Sequence, residues 1–116
     1  MVGSLLSLLE AFRERLEQKA FLSALTHGWE RRVQVMALDS GTSYFLTFCQ
    51  GRVDVTQGAA DMAADLLVSG AERDLRCLFA GERLAYLYAR EAVALRGTVR
   101  DQLKWDALLR LTAKSV

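Results

Sequence analysis

Residues 31–56 read RRVQVMALDSGTSYFLTFCQGRVDVT, and this stretch decides the fold. Apolar and polar side chains alternate with a period of two over 31–38, 43–50 and 52–56, the signature of strands half-buried in a sheet. Asp39-Ser40-Gly41-Thr42 and Gln50-Gly51 break the alternation with short, glycine-bearing turns, so the strands form a meander of hairpins. A two-residue turn at Gln50-Gly51 pairs Cys49 with Arg52, Phe48 with Val53 and Leu46 with Val55. Symmetric closure on Ser40-Gly41 pairs Leu38 with Ser43, Ala37 with Tyr44, Val35 with Leu46 and Val33 with Phe48. Paired residues share a sheet face. One face then holds Val33, Val35, Ala37, Tyr44, Leu46, Phe48, Val53 and Val55. The other holds Arg32, Gln34, Met36, Phe45, Thr47, Cys49, Arg52 and Asp54. The two hairpins agree on which face is apolar, which predicts a sheet covered on one side.

Upstream of this stretch the period is helical. Leu5, Leu8, Leu9, Phe12 and Leu16 alternate with Glu10, Arg13, Glu14 and Glu17, an amphipathic helix over about 4–19. Ala20 to Thr26 is read as a short second helix ending near Gly28. Downstream, Gly58 to Ala64 connects to a short strand, Asp65–Ser69. Ser69 and Glu72 have capping-box spacing, and Leu75, Leu78 and Phe79 form the buried stripe of the helix that Gly81 ends. Leu84, Leu87 and Tyr88 mark another helix, and Ala92–Gly97 a last strand. Thr98 and Asp101 repeat the capping pattern before a final helix to about Ala113. The apolar positions of that helix, Leu103, Trp105, Ala107, Leu108, Leu109 and Leu111, form a wide stripe that predicts burial on more than one side.

The chain has 116 residues, the length of one domain. Its 52% hydrophobic content is slightly rich, which fits either a well-filled core or an internal apolar surface beyond core needs. A formal net charge of +1 provides no field to recruit nucleic acid, and the aromatic residues do not cluster on strands between basic ones. Residues 71–116 nevertheless carry nine Lys/Arg against six Asp/Glu, spread along helices as a solvated face or a docking surface for anionic headgroups. No apolar run approaches the ~20 residues of a membrane span. Met1 to Leu9 lacks a basic start and a cleavage site, so it reads as helix and not as a signal peptide.

Residues suited to catalysis are sparse. His27 lies in a polar turn beside Gly28 with no nucleophile or ligand set near it in sequence. Asp61 and Asp65 read as solvated loop charges. Cys49 and Cys77 have no metal-type spacing, and free, mostly buried thiols in a reducing, cytoplasmic setting are expected, with Cys49 on the outer, polar sheet face. Arg52 across the strands from Cys49 would activate it only weakly. No catalytic residue, metal site or cofactor is predicted.

One ordered set of residues resembles a known family. Tyr44-Phe45-Leu46-Thr47-Phe48 leads to Gln50-Gly51-Arg52-Val53-Asp54-Val55. Ala64-Asp65-Leu66-Leu67-Val68-Ser69-Gly70 runs into a helix ending in Ala80-Gly81. Ala94-Leu95-Arg96-Gly97 precedes Lys104 and Leu108-Leu109. Over about residues 29–112 this order is similar to the sterol carrier protein domain. The resemblance implies an α+β fold, with a single mixed, mainly antiparallel five-stranded sheet covered on one face by helices, and one such domain over residues 1–116. It also implies an apolar tunnel between the layers that binds a lipid or fatty acyl ligand non-covalently. The residues placed to line it are Val35, Ala37, Tyr44, Leu46, Val55, Leu78, Leu84, Leu87, Tyr88, Trp105 and Leu109. Ala113-Lys114-Ser115-Val116 is not a peroxisomal address and leaves only a short lid, so an open or dimer-capped tunnel is compatible with the sequence. A homodimer and a membrane surface stay open as partners.

Two functions compete. A lipid-binding module needs space between sheet and helices, whereas an accessory domain for a lipid-pathway enzyme would fill that space to native density. An enzyme would need a titratable group convergent with a nucleophile in a cleft.

Overall fold

A computed structural model describes residues 4–18, 24–58 and 62–112. The elements are α1 (Leu5–Gln18), β1 (Arg32–Ala37), β2 (Thr42–Cys49), β3 (Arg52–Gly58), β4 (Leu66–Gly70), α2 (Glu72–Phe79), α3 (Leu84–Ala89), β5 (Val93–Arg96) and α4 (Val99–Thr112). The strands form one sheet in the order β3-β2-β1-β4-β5. Every neighbouring pair is antiparallel except β1 with β4, so the sheet is mixed. Of the short helix expected over 20–26, residues 24–26 are helical and 20–23 lie outside the described residues. The connection expected from Gly58 begins later, because β3 runs on to Gly58; residues 59–61 lie outside the described set.

The β2–β3 hairpin has the expected register, with Cys49 opposite Arg52, Phe48 opposite Val53 and Leu46 opposite Val55. Gln50 and Gly51 both take positive φ, 53° and 78°, the turn whose twist matches paired strands. The β1–β2 register differs from expectation by two residues. Ala37 faces Thr42, Val35 faces Tyr44 and Val33 faces Leu46. The loop is wider than Ser40-Gly41 because the Gly41 N–H donates to the Ala37 carbonyl at 2.8 Å and closes the chain around Leu38 to Gly41. A shift of two preserves the facing of every side chain, so the apolar face stands.

Val33, Val35, Ala37, Leu46, Phe48, Val53, Leu66 and Val68 form the floor of the core, each almost wholly buried. The helices cover it with Leu5, Leu9, Phe12 and Leu16 of α1, Leu75, Leu78 and Phe79 of α2, Leu84 and Leu87 of α3, and Trp105, Leu108 and Leu109 of α4. Full burial of such a side chain is worth ~1.5–3 kcal/mol, so packing and not intrinsic propensity holds these short helices. α4 is buried on one side only. Leu103 is 66% and Leu111 42% exposed, which corrects the wide stripe read from sequence.

The opposite sheet face is not bare, as the alternation had suggested. Phe45 is buried there, as are Gln34 and Ser43, joined by a 3.1 Å bond from Gln34 Nε2 to Ser43 Oγ. A Cβ at Gly58 would fall 2.8 Å from Met62 Sδ and 2.9 Å from the Phe45 ring, so the end of β3 closes over Phe45 only because that residue is glycine.

The two capping patterns part company. Thr98 caps α4, its Oγ1 accepting the Asp101 N–H at 3.1 Å. Ser69 does not cap α2, because it lies inside β4; the N-cap is Ala71. The Glu72 N–H instead donates to Asp39 Oδ1 of the β1–β2 loop at 3.0 Å.

Candidate functional site

The interface between the helices and the sheet is where the expected ligand residues meet. Val35, Ala37 and Leu46 lie on the floor, fully buried; Tyr44 and Val55 are half-buried on the same face and pack against the core. Leu84 and Leu87 face inward from α3. Trp105 is fully buried and stacks edge-to-face on Phe12 and Phe79, with ring centroids 5.5 and 5.9 Å away. Phe12 and Phe79 themselves lie 5.5 Å apart, so three rings close the centre of the layer.

Leu78 and Leu109 meet around a gap between α1, α2 and α4, whose other walls are Phe12, Arg15, Phe79, Gly81 and Thr112. Its volume is about 10 Å³, room for about one water molecule. Tyr88 does not join this group. It is 52% exposed and, with Leu84, Ala85, Leu95 and Leu103, lines an open apolar groove of about 190 Å³ between α3 and α4.

Nothing in the residue pattern singled out Arg15. It follows Phe12 by three positions and precedes the buried Leu16, which turns it toward the covered side of α1. Its Nε is buried without a hydrogen-bond partner, and burial pushes its guanidinium pKa down. Arg13, two residues earlier, shows the opposite pattern. It contacts Glu10 and Glu17 at 3.1 Å each, and chiefly the Glu10 hydrogen bond raises its pKa. The Trp105 Nε1–H is likewise buried without an acceptor.

Polar groups elsewhere serve other purposes. Asp101 accepts from Trp29 Nε1 at 3.0 Å and from Arg31 Nε at 3.2 Å, fastening α4 to the segment before β1. A hollow of about 400 Å³ contains Arg31, Arg32, Cys49, Glu30 and Asp65, a mixture of signs. Its arginines are committed, Arg31 to Asp101 and Arg32 to the Ala63 carbonyl at 3.4 Å. Cys49 is exposed as expected for its face; Cys77 is exposed as well, which corrects the buried thiol expected there, because α2 turns it away from Leu75 and Leu78. His27 is exposed in a turn. Among the described residues no group of three or more His, Cys, Asp or Glu could hold a metal ion, and no helix is long and apolar enough to cross a membrane.

No family model matches the sequence, and no curated protein does. Solved structures match it in fold. UbiJ-SCP2, described as a ubiquinone synthesis protein, superposes with a TM-score of 0.74 at 20% identity, over 93% of this chain and 94% of its own. Sterol carrier protein 2 gives 0.68 at 11% identity over 100% and 99% of the two chains. Palmitated SCP2L2 from Aedes aegypti gives 0.64 at 15% identity over 92% and 95%.

Proposed function

We propose that this chain, which has the sterol carrier protein fold, binds the hydrocarbon chain of a lipid non-covalently between its helices and its sheet, and carries it without altering it. The observation behind this reading is the composition of that interface. It is apolar from Val35, Ala37 and Leu46 on the floor to Leu78, Leu84, Leu87 and Leu109 above. Burying alkyl chain there contributes ~0.8 kcal/mol per CH₂, so a chain of fourteen to sixteen carbons gains roughly 10 kcal/mol before ordering costs. No catalytic group is required.

A gap of about 10 Å³ cannot hold such a chain, so the helix layer has to part. The weak points are α2 and α3, eight and six residues long, neither capped by the side chain of its own N-cap residue, Ala71 or Arg83. Helices this short are marginal by themselves and depend on Leu75, Leu78, Phe79, Leu84 and Leu87 for their hold. Moving this pair outward would open the layer above Ala37. Native mass spectrometry of protein from its own host, with a fluorescent fatty-acid titration, tests the reading. A co-purified lipid mass or saturable uptake of one equivalent supports it; the absence of both rejects it.

The closed core also favours a second reading, an accessory domain for a lipid-pathway enzyme. The Phe12–Phe79–Trp105 cluster fills the layer, and the fold's likeness to a ubiquinone synthesis protein is compatible with that role. Absence of lipid uptake, together with stable capture of one enzyme, would favour it.

A further inference from the structure

The open groove between α3 and α4 is walled by apolar side chains that the fold leaves uncovered. Buried Leu84 and half-buried Leu95 lie deepest in it; Ala85 and Tyr88 form one wall, and Gln102, Leu103 and Asp106 the other. Val99, one turn before Leu103, extends the apolar strip along α4. Val99 is 70%, Leu103 66% and Tyr88 52% exposed. Single exposed apolar residues are ordinary, but several around one concavity mark an interaction surface.

Shape and charge narrow the occupant. Val99, Leu103, Asp106 and Arg110 follow one another at spacings of four, three and four, the seam by which one helix meets another. A second copy of the chain matches it poorly. Parallel self-pairing would set Asp106 against Asp106 and Arg110 against Arg110, and antiparallel pairing about Leu103 would set Val99 against Asp106. A bilayer also matches poorly, since it is flat where this surface is concave, and the Asp106 carboxylate stands on the wall. The surroundings are basic: residues 82–112 carry six Lys/Arg against four Asp/Glu. Two of those carboxylates are already engaged, Asp101 by Trp29 and Arg31, and Asp106 by Arg110 at 3.6 Å. Arg83 and Arg100, next in sequence to Leu84 and Val99, are exposed and form no ion pair among the described residues.

We propose that the α3–α4 groove docks an amphipathic helix of another protein, with its apolar stripe on Tyr88, Leu95 and Leu103 and its acidic flanks toward Arg83 and Arg100. Tyrosine and arginine are the residue types that dominate such contacts. Docking of this kind needs no lipid in the core, so it stands or falls separately from the binding reading above.

The test is fluorescence anisotropy with two labelled synthetic helices that share one leucine stripe and carry glutamate in one, lysine in the other, on the remaining face. The native chain should bind the glutamate helix about tenfold or more tightly than the lysine helix, an attraction that added salt weakens. Leu103→Asp should weaken binding of the glutamate helix by about tenfold or more, and Arg83→Glu with Arg100→Glu should erase or reverse the preference. Leu38→Asp, at a leucine 62% exposed in the β1–β2 loop, should leave both affinities within about twofold. Circular dichroism checks that each variant folds, and Tyr88→Ser takes the place of Leu103→Asp should the latter unfold. No binding of the glutamate helix, equal binding of the two helices, or binding that the groove variants leave intact overturns the docking. Sedimentation of the native chain, alone and with phosphatidylglycerol vesicles, reads the other occupants. A dimer that Leu103→Asp dissociates would give the face to a second copy, and vesicle binding lost in the same variant would give it to a lipid surface; either result overturns docking of a partner helix.

Discussion

The indole Nε1–H of Trp29 donates to Oδ1 of Asp101 at 3.0 Å, joining residues 72 positions apart. Asp101 sits in the first turn of α4, with its side chain 5% exposed, and Arg31 donates from Nε to both of its oxygens at 3.2 Å. One carboxylate therefore holds the last helix against the entry to the first strand.

Asp101→Ala should cost ~1–3 kcal/mol, because it strands the buried Trp29 donor and frees Arg31. Asp101→Asn retains an acceptor and should cost less. Urea unfolding of the two variants provides the comparison, and equal losses would show that the contact with Trp29 contributes nothing.

Gln50 occupies the left-handed region with φ 53°, a conformation that penalises a side chain with a Cβ. Gln50→Asn should raise stability by ~0.5–1 kcal/mol, and Gly51→Ala should lower it by ~1–2 kcal/mol. Thermal melts test both, and a destabilised Gln50→Asn would contradict the turn geometry.

Ala37 is fully buried on the sheet floor, opposite Thr42 and Gly70. Ala37→Leu should cost ~1–3 kcal/mol through strain in the closed layer. It should also weaken fatty-acid uptake several-fold, because the added bulk occupies the proposed path of the chain. Lower stability with undiminished uptake would remove Ala37 from the binding site.

Cys49 and Cys77 are both exposed. Each should react with a thiol reagent in the native protein without denaturant. Replacing both with Ser should change stability by no more than ~0.5 kcal/mol and leave lipid uptake intact. Loss of function with an intact fold would implicate a thiol.

The outward face of α2 presents Arg73, Arg76, Cys77 and Ala80 around an open hollow of about 290 Å³. If lipid is exchanged with an anionic membrane through this face, vesicle sedimentation should show binding that salt weakens. Arg73→Glu with Arg76→Glu should reduce it. No binding at low salt would exclude this surface as the route.

The apolar sheet face and the helix stripes were legible because strict periodicity leaves one arrangement that buries them. The β1–β2 register was not, since a slip of two residues preserves every facing and the alternatives differ in backbone hydrogen bonds such as those from Gly41 to Ala37 and from Leu38 to Gly70. Ser69 matched a capping pattern that its place in β4 prevents it from using, and the substitute, Asp39, lies 33 residues from the Glu72 N–H it accepts. Leu103 and Leu111 extended a stripe that α4 does not bury, because hydrophobicity records what a residue can do and not where its helix is rotated. Arg15 was invisible for the converse reason: a basic residue on an amphipathic helix reads as solvated, and its burial depends on Leu78, Phe79 and Leu109, which arrive from distant elements.

The parallel pairing of β1 with β4 sets the order in which the chain can assemble. β1, β2 and β3 zip together through neighbouring hairpins, whereas Val33 must wait for Leu66. Closing that longer loop is entropically slower than closing a turn, so the meander is the natural nucleus and docking of β4 the later step. On a ribosome adding roughly 5–20 residues per second, the stretch from the end of β2 at Cys49 to the end of β4 at Gly70 takes roughly 1–4 s to appear. For that interval the most deeply buried strand of the finished protein shows a naked edge of amides and carbonyls to every other nascent chain.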